Sequence, residues 1–135
     1  MRKIVIGLLI FILTVPMLAA GGIGIVKDED FKAVGVTQEN LNKAKEIIKE
    51  ASTQYKLKTL DKKSLEIEMN KYILEGTEKN IGELNKLVEQ IGVIDTEIIK
   101  DRLKYQVEVQ KYITTEQYLN ARERSVERIR KNKES

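Results

Sequence analysis

Apolar residues recur every three or four positions over most of this chain, and that spacing predicts helices. The first helix begins at about Val36 or Thr37, with charged side chains on the faces away from its apolar stripe. The stripe steps through Leu41, Ala44, Ile48, Ala51 and Tyr55. A single stripe of this kind is typical of a helix that packs one side against a core.

The pattern is looser over residues 57–63, which predicts a break before a second helix. That helix begins near Asp61 or Ser64 and ends at Gly76, because glycine adopts the backbone conformation that closes many helices. Its inward residues are Leu65, Met69, Tyr72 and Ile73. We therefore expect two separate helices between Thr37 and Gly76.

The longest predicted helix covers residues 77–112, and Gly92 is a point where it can kink or split. Its apolar seam contains Ile81, Leu84, Val88, Ile91, Ile94, Ile98, Tyr105, Val109 and Tyr112. At about 1.5 Å per residue the unbroken helix is about 54 Å long, which is too long for shorter neighbours to cover. A second chain would cover the remainder, so we expect a homodimer.

A capping motif separates this helix from the last one. Thr114 is followed three residues later by Gln117, a spacing at which each side chain bonds the backbone amide of the other residue. Ile113, just before the cap, can staple the turn. The last helix then begins at Thr115 and runs to about Lys131. A similar motif, formed by Val36, Thr37 and Asn40, precedes the first helix.

The N-terminus has the layout of a secretory signal peptide. Two basic residues precede an apolar run that contains Pro16 and ends in small residues, so we expect cleavage after Gly21. The alternative is an uncleaved anchor, because the apolar run is long enough to span a membrane. After the predicted leader, residues 1–21, we expect a flexible lead-in over residues 22–35, one helical domain over residues 36–131 and a disordered tail over residues 132–135, with fraying beyond Arg128.

The amino-acid composition argues against most catalytic and metal-binding functions. The chain contains no Cys and no His, so it lacks a thiol nucleophile, the usual general base and the commonest metal ligands. We expect neither an enzyme nor a bound cofactor or metal. Lys and Arg number 24 against 21 Asp and Glu, a balance that does not suggest nucleic-acid binding. The C-terminus is locally basic, as a solvated helix or as a surface for acidic partners.

The two capped starts resemble the paired Leu-Thr-x-x-Gln motifs of the Spy and CpxP family of periplasmic stress proteins. Ile113, Thr114 and Gln117 match the second motif with Ile in place of Leu, whereas Val36, Thr37 and Asn40 match the first less closely. The resemblance covers about residues 36–130. It implies an all-α fold: an elongated, hairpin-like cradle with one long helix, assembled as an antiparallel homodimer.

The resemblance further implies a periplasmic chaperone that binds unfolded or partly folded proteins without ATP, on a concave surface both basic and apolar. After cleavage of the leader no contact with a membrane is expected. The basic candidates for this surface are Lys100, Arg102, Lys104 and Lys111. The apolar candidates are Ile98, Tyr105, Val109 and Tyr112. The same residues could instead form a dimer seam and a solvated face.

Two other functions remain open. A self-assembling structural or adhesive protein would use the long helix for assembly. An anchored regulator would keep its leader and dock on an envelope sensor kinase, with the basic C-terminus as its contact.

Overall fold

The computed structural model describes residues 26–134, and this part of the chain is all-α, as the sequence predicts. Its helices are α1, Asp28–Ala33, α2, Gln38–Gly76, α3, Ile81–Gln110, and α4, Thr115–Glu134. None of these helices is both long enough and apolar enough to cross a membrane. The predicted leader lies outside the described residues.

The chain divides into two compact units. The first consists of Met1–Ser52 and Arg102–Ser135, of which residues 26–52 and 102–134 are described. The second is Thr53–Asp101. α2 and α3 each contribute residues to both units.

The core of the first unit collects residues from all four helices and from the turns between them. Phe31, Leu41 and Val109 are its most deeply buried large apolar side chains. The other members of this cluster are Val26, Val36, Ala44, Ile48, Ala51, Tyr105, Ile113, Tyr118 and Ala121. Burying each large apolar side chain stabilises the fold by about 1.5–3 kcal/mol. The predicted stripe of the first helix is therefore confirmed from Leu41 to Ala51.

α1 lies where the sequence predicts a flexible lead-in, and for these residues that prediction is wrong. The backbone amides of Val36 and Gly35 donate to the carbonyls of Phe31 and Lys32, at 3.0 and 3.1 Å. This pair of bonds is a Schellman motif, and Gly35 at φ +96° takes its left-handed position. The motif brings Val36 against the buried Phe31, so a helix too short to persist alone is held by tertiary packing.

α2 is continuous, so the predicted break over residues 57–63 is also wrong. The apolar spacing loosens there because lysines occupy positions that face α3. Lys58 Nζ lies 2.6 Å from Asp101 Oδ2, and Lys62 Nζ lies 2.9 Å from Asp95 Oδ1. Hydrogen bonding to Asp101 raises the pKa of Lys58 above its ordinary value. In this segment ion pairs connect α2 to α3 in place of apolar contacts, so the helix continues although the apolar spacing is lost.

The second unit is a helical hairpin formed by the end of α2 and most of α3. Gly76 ends α2 at φ +138°, as predicted, and Asn80 Nδ2 donates to the carbonyl of Tyr72 at 3.0 Å. Leu84, Leu87 and Ile98 are its buried large apolar residues. Ile81 and Val88, which the sequence places in the seam, are instead about half exposed.

α3 and α4 differ from their predicted limits. α3 is shorter than the predicted run over residues 77–112, passes through Gly92 without interruption, and is 30 residues long against 39 for α2. The expectation of one long helix with shorter partners is therefore wrong, although the antiparallel homodimer remains a prediction. α4 continues to Glu134, three residues beyond its predicted end at Lys131. Lys131 and Lys133 in its last turn favour that extension through the helix dipole.

Candidate functional site

The predicted capping box at the start of α4 is confirmed. The amide of Thr114 donates to Gln117 Oε1 at 3.0 Å, and the amide of Gln117 donates to Thr114 Oγ1 at 3.1 Å. At the start of α2 the amide of Asn40 donates to Thr37 Oγ1 at 3.1 Å. Both motif threonines therefore cap helices.

The fold brings the two motifs together. Val36 and Ile113, the apolar residues that precede the two caps, belong to the same buried cluster. A Cβ at Gly35 would lie 3.7 Å from Gln117 Nε2, so the turn before the first motif approaches the side chain of the second. The motifs fix where α2 and α4 begin around one core, which makes their role architectural.

The apolar candidates for client binding lie mostly inside the protein. Tyr105 and Val109 belong to the core of the first unit, and Ile98 is buried in the second. Tyr112 is partly buried against the first unit's core, and Lys43 Nζ lies 5.4 Å from its ring centroid. The assignment of Ile98, Tyr105 and Val109 to an exposed surface is wrong, because these positions face the other helices.

The basic candidates are mostly accessible. In the first unit Lys104 and Lys111 are exposed, whereas Arg102 is partly buried. Lys111 Nζ lies 2.8 Å from Glu108 Oε1, a hydrogen bond that raises the pKa of Lys111. In the second unit Lys100 is exposed. Lys100 and Lys104 therefore lie on the solvent-facing side of α3, and Lys111 is exposed in the turn after it.

Sequence reasoning missed the apolar residues beside these lysines. In the first unit Leu103 and Val107, one turn apart on α3, are 56% and 57% exposed. Lys104 follows Leu103 on the exposed side of α3, and Lys111 lies in the turn directly after the end of the helix at Gln110. Leu103, Lys104, Val107 and Lys111 are here named the α3 patch. Leu103 and Val107 are four residues apart in the sequence, but the inward-facing Tyr105 and Val109 have the same spacing.

A polar cluster joins α1 to α4 in the first unit. Asp30 is 3% exposed, and its carboxylate accepts hydrogen bonds from Arg128, from the hydroxyl of Ser125 and from the backbone amide of Lys27. Burial alone raises the pKa of Asp30, but these hydrogen bonds together outweigh burial and hold the pKa below its ordinary value. Charge pairing accounts for this cluster, which has a structural role.

The remaining chemistry of the described chain is limited. Over residues 26–134 no group of three or more acidic side chains is placed to hold a metal ion. A shallow hollow is lined by residues of α1 and α4, namely Glu29, Asp30, Arg124, Glu127, Arg128, Lys131 and Asn132. Its lining mixes both charges, so it has no evident preference for an anion or a cation.

Comparison of the chain with protein-family models, with curated proteins and with solved structures found no match. The resemblance to the Spy and CpxP proteins therefore rests on the two motifs of the sequence.

Proposed function

We propose that this protein is an exported, ATP-independent chaperone of the periplasm, a stress protein that binds unfolded proteins through the α3 patch. The observation that carries the proposal is the exposure of Leu103 and Val107 beside Lys104 and Lys111. Single exposed aliphatic residues are common on soluble proteins, but here two lie one turn apart on a helix edged by lysines.

In this proposal charged side chains attract the client, and apolar side chains then bind it. Lysines attract an acidic segment from a distance, and their long side chains impose little geometry on it. The exposed Leu103 and Val107 then make apolar contacts with the client. A pair of aliphatic side chains buries little area, so each contact is weak and a client can fold or leave without ATP.

A test of this function is suppression of aggregation of several unfolded proteins by the purified chain at near-stoichiometric ratio. Replacing Leu103 and Val107 together by Ser should reduce suppression by at least about tenfold, which corresponds to about 1.4 kcal/mol of binding free energy. The fold should remain intact, because both side chains are already half exposed. Circular dichroism would check that point.

A matched control is available on α4, where Val126 is 50% exposed and lies outside the α3 patch. Val126→Ser should leave suppression unchanged. Absence of suppression for every client tested would contradict the chaperone function. Equal loss in the α3-patch and Val126 variants would instead contradict the location of the surface.

A contribution from charge is tested by replacing Lys104 and Lys111 with Gln. Association with an acidic client should then slow and lose much of its salt dependence, whereas the effect on dissociation should be smaller. Stopped-flow fluorescence measures both rates. Unchanged association at low salt would show that these lysines take no part.

A second candidate function is self-assembly into a structural or adhesive fibre. The observation in its favour is the number of large aliphatic side chains that stay exposed on α2 as well as on α3. Light scattering distinguishes the two functions. A discrete species of fixed mass supports the chaperone, and growth of filaments with concentration supports the structural protein.

A further inference from the structure

A second row of exposed apolar side chains lies on α2, within the second unit. Leu57, Leu60, Ile67 and Leu74 are 51%, 65%, 52% and 87% exposed. They are here named the α2 stripe. The positions alternate by three and four residues when Ser64 and Lys71 are included, which is the seven-residue repeat of a coiled-coil seam.

This row is separate from the face that α2 presents to α3. In this unit Lys58 and Lys62 of α2 form ion pairs with Asp101 and Asp95 of α3. On a helix of 3.6 residues per turn, Leu60 and Ile67 point about half a turn away from those lysines. Within residues 26–134 the α2 stripe therefore stays exposed to solvent.

The charges beside the stripe are sorted by sign. One flank carries Asp61, Glu68 and Glu75, and the other carries Lys56, Lys63 and Asn70. All of these side chains are exposed, and none takes part in an ion pair with another residue of the described chain. The flanks are therefore available to a partner.

This sorting decides which way a second copy would lie. In a parallel pair each basic flank meets the acidic flank of the other helix, so that Lys56 faces Asp61 and Lys63 faces Glu68. In an antiparallel pair acidic flank meets acidic flank and basic meets basic, which repels. The charges fit the parallel orientation.

We infer that the α2 stripe pairs in parallel and in register with the α2 stripe of a second copy of this chain. Lys71 at a seam position weakens such a pair, but a single lysine there also restricts register and the number of helices. A shallow depression on α2 offers a hole for a facing side chain. It is lined by Ser64, Ile67, Glu68, Lys71, Tyr72 and Glu75.

The stripe is about 26 Å long at about 1.5 Å per residue, so the pair is short and its formation depends on concentration. The inferred orientation differs from the antiparallel dimer that the family resemblance implies. The inference is independent of client binding, because it concerns α2 of the second unit and the α3 patch lies in the first.

Orientation can be read directly because the chain contains no Cys. Leu74→Cys places one thiol near the end of the stripe, and in a parallel, in-register pair the two thiols face each other. Mild oxidation of the purified protein should join most of the chains into a covalent dimer. Val93→Cys, in the same unit and 58% exposed but off the stripe, is the control and should remain uncoupled.

A mixture of two cysteine variants tests for the antiparallel arrangement. Leu57→Cys and Leu74→Cys chains, mixed before oxidation, would couple to each other in preference to themselves if the helices ran in opposite directions. That result would overturn the parallel pairing. Coupling of Leu57→Cys with itself and of Leu74→Cys with itself supports it.

The role of the stripe itself is tested by sedimentation equilibrium over a range of concentrations. Leu60→Glu with Ile67→Glu should raise the dimer dissociation constant by at least about 100-fold, since charge replaces the apolar seam on both chains. Val93→Glu should leave the constant unchanged. A wild-type chain that stays monomeric at the highest concentration, or a dimer that survives the double substitution, would overturn the inference.

Discussion

Arg128 donates hydrogen bonds to both carboxylate oxygens of Asp30, and its Nη1 lies 2.8 Å from Oδ1 and 2.7 Å from Oδ2. The two residues are 98 positions apart in the sequence. The contact fastens α1 to α4. Because the side chain of Asp30 is only 5% exposed, the guanidinium supplies most of the compensation for a buried charge. Ser125 Oγ, at 2.7 Å from Asp30 Oδ2, supplies part of the remainder.

Replacing Arg128 by Met should lower the free energy of unfolding by about 3 kcal/mol, because it leaves the carboxylate of Asp30 buried without a counter-charge. Urea denaturation of the two proteins measures the difference. The added substitution Asp30→Leu should recover part of the loss, since it removes the uncompensated charge.

The control for this prediction is an exposed ion pair on the same helix. Arg130 Nη2 lies 2.9 Å from Glu127 Oε1, and both side chains are at least half exposed. Arg130→Met should change the stability by no more than about 0.5 kcal/mol. Comparable losses in the Arg128 and Arg130 variants would show that α1 is not held by the Asp30 contact.

Acid should release the same contact. The pKa of Asp30 in the folded protein lies below the value of 3.8 typical of an unfolded chain, despite burial, because of its hydrogen bonds to Arg128, Ser125 and Lys27. A carboxylate whose pKa is lowered by folding stabilises the protein at pH values above its pKa in the unfolded chain. This stabilisation is lost as the pH falls through its pKa in the folded protein. We expect stability to fall below about pH 4.

Comparison with Asp30→Asn isolates this effect. The variant should be less stable than the wild type at neutral pH, and the difference should shrink steadily below about pH 4. Thermal denaturation at a series of pH values measures it. A difference that stays constant down to pH 2 would contradict the assignment.

Loss of the cap at Thr114 should affect stability and leave client binding unchanged. Thr114→Ala removes the acceptor for the amide of Gln117 and should cost about 1 kcal/mol, whereas Thr114→Ser should retain most of it. Denaturant unfolding gives the stability, and aggregation suppression gives the activity. A large loss of activity at unchanged stability would mean that Thr114 contacts the client.

Local signals in the sequence located three of the helix ends. The starts of α2 and α4 and the end of α2 followed from Thr37, Thr114 and Gly76, because a cap depends on residues only a few positions apart. α1 was missed because its six residues are held by Phe31 in the core and by Asp30 bonded to Arg128. No periodicity in so short a segment records contacts made with the far end of the chain.

The candidate surface was predicted in part. The sequence predicts the exposed lysines correctly because charged side chains face solvent. It predicts Tyr105 and Val109 as their apolar neighbours, whereas the structure exposes Leu103 and Val107. A helix with apolar residues on two faces has two overlapping rows, and spacing alone does not tell which row meets a core. Only the packing of α3 within the first unit distinguishes them.

Removing one buried hydroxyl should stabilise the protein. Ser52 is 2% exposed within α2, and its Oγ has no hydrogen-bond partner in the described part of the chain. Ser52→Ala removes the unpaired hydroxyl and replaces serine by the best helix former, so the free energy of unfolding should rise by about 1 kcal/mol.

Ser125→Ala provides the contrast of opposite sign. Ser125 is equally buried in α4, but its hydroxyl bonds the carboxylate of Asp30, so the same chemical change should cost about 1–2 kcal/mol. Thermal unfolding of both variants decides the matter, with a rise expected for Ser52→Ala and a fall for Ser125→Ala. Destabilisation of both would show that the hydroxyl of Ser52 is hydrogen-bonded in solution, because alanine is otherwise the more favourable residue at a buried helical position.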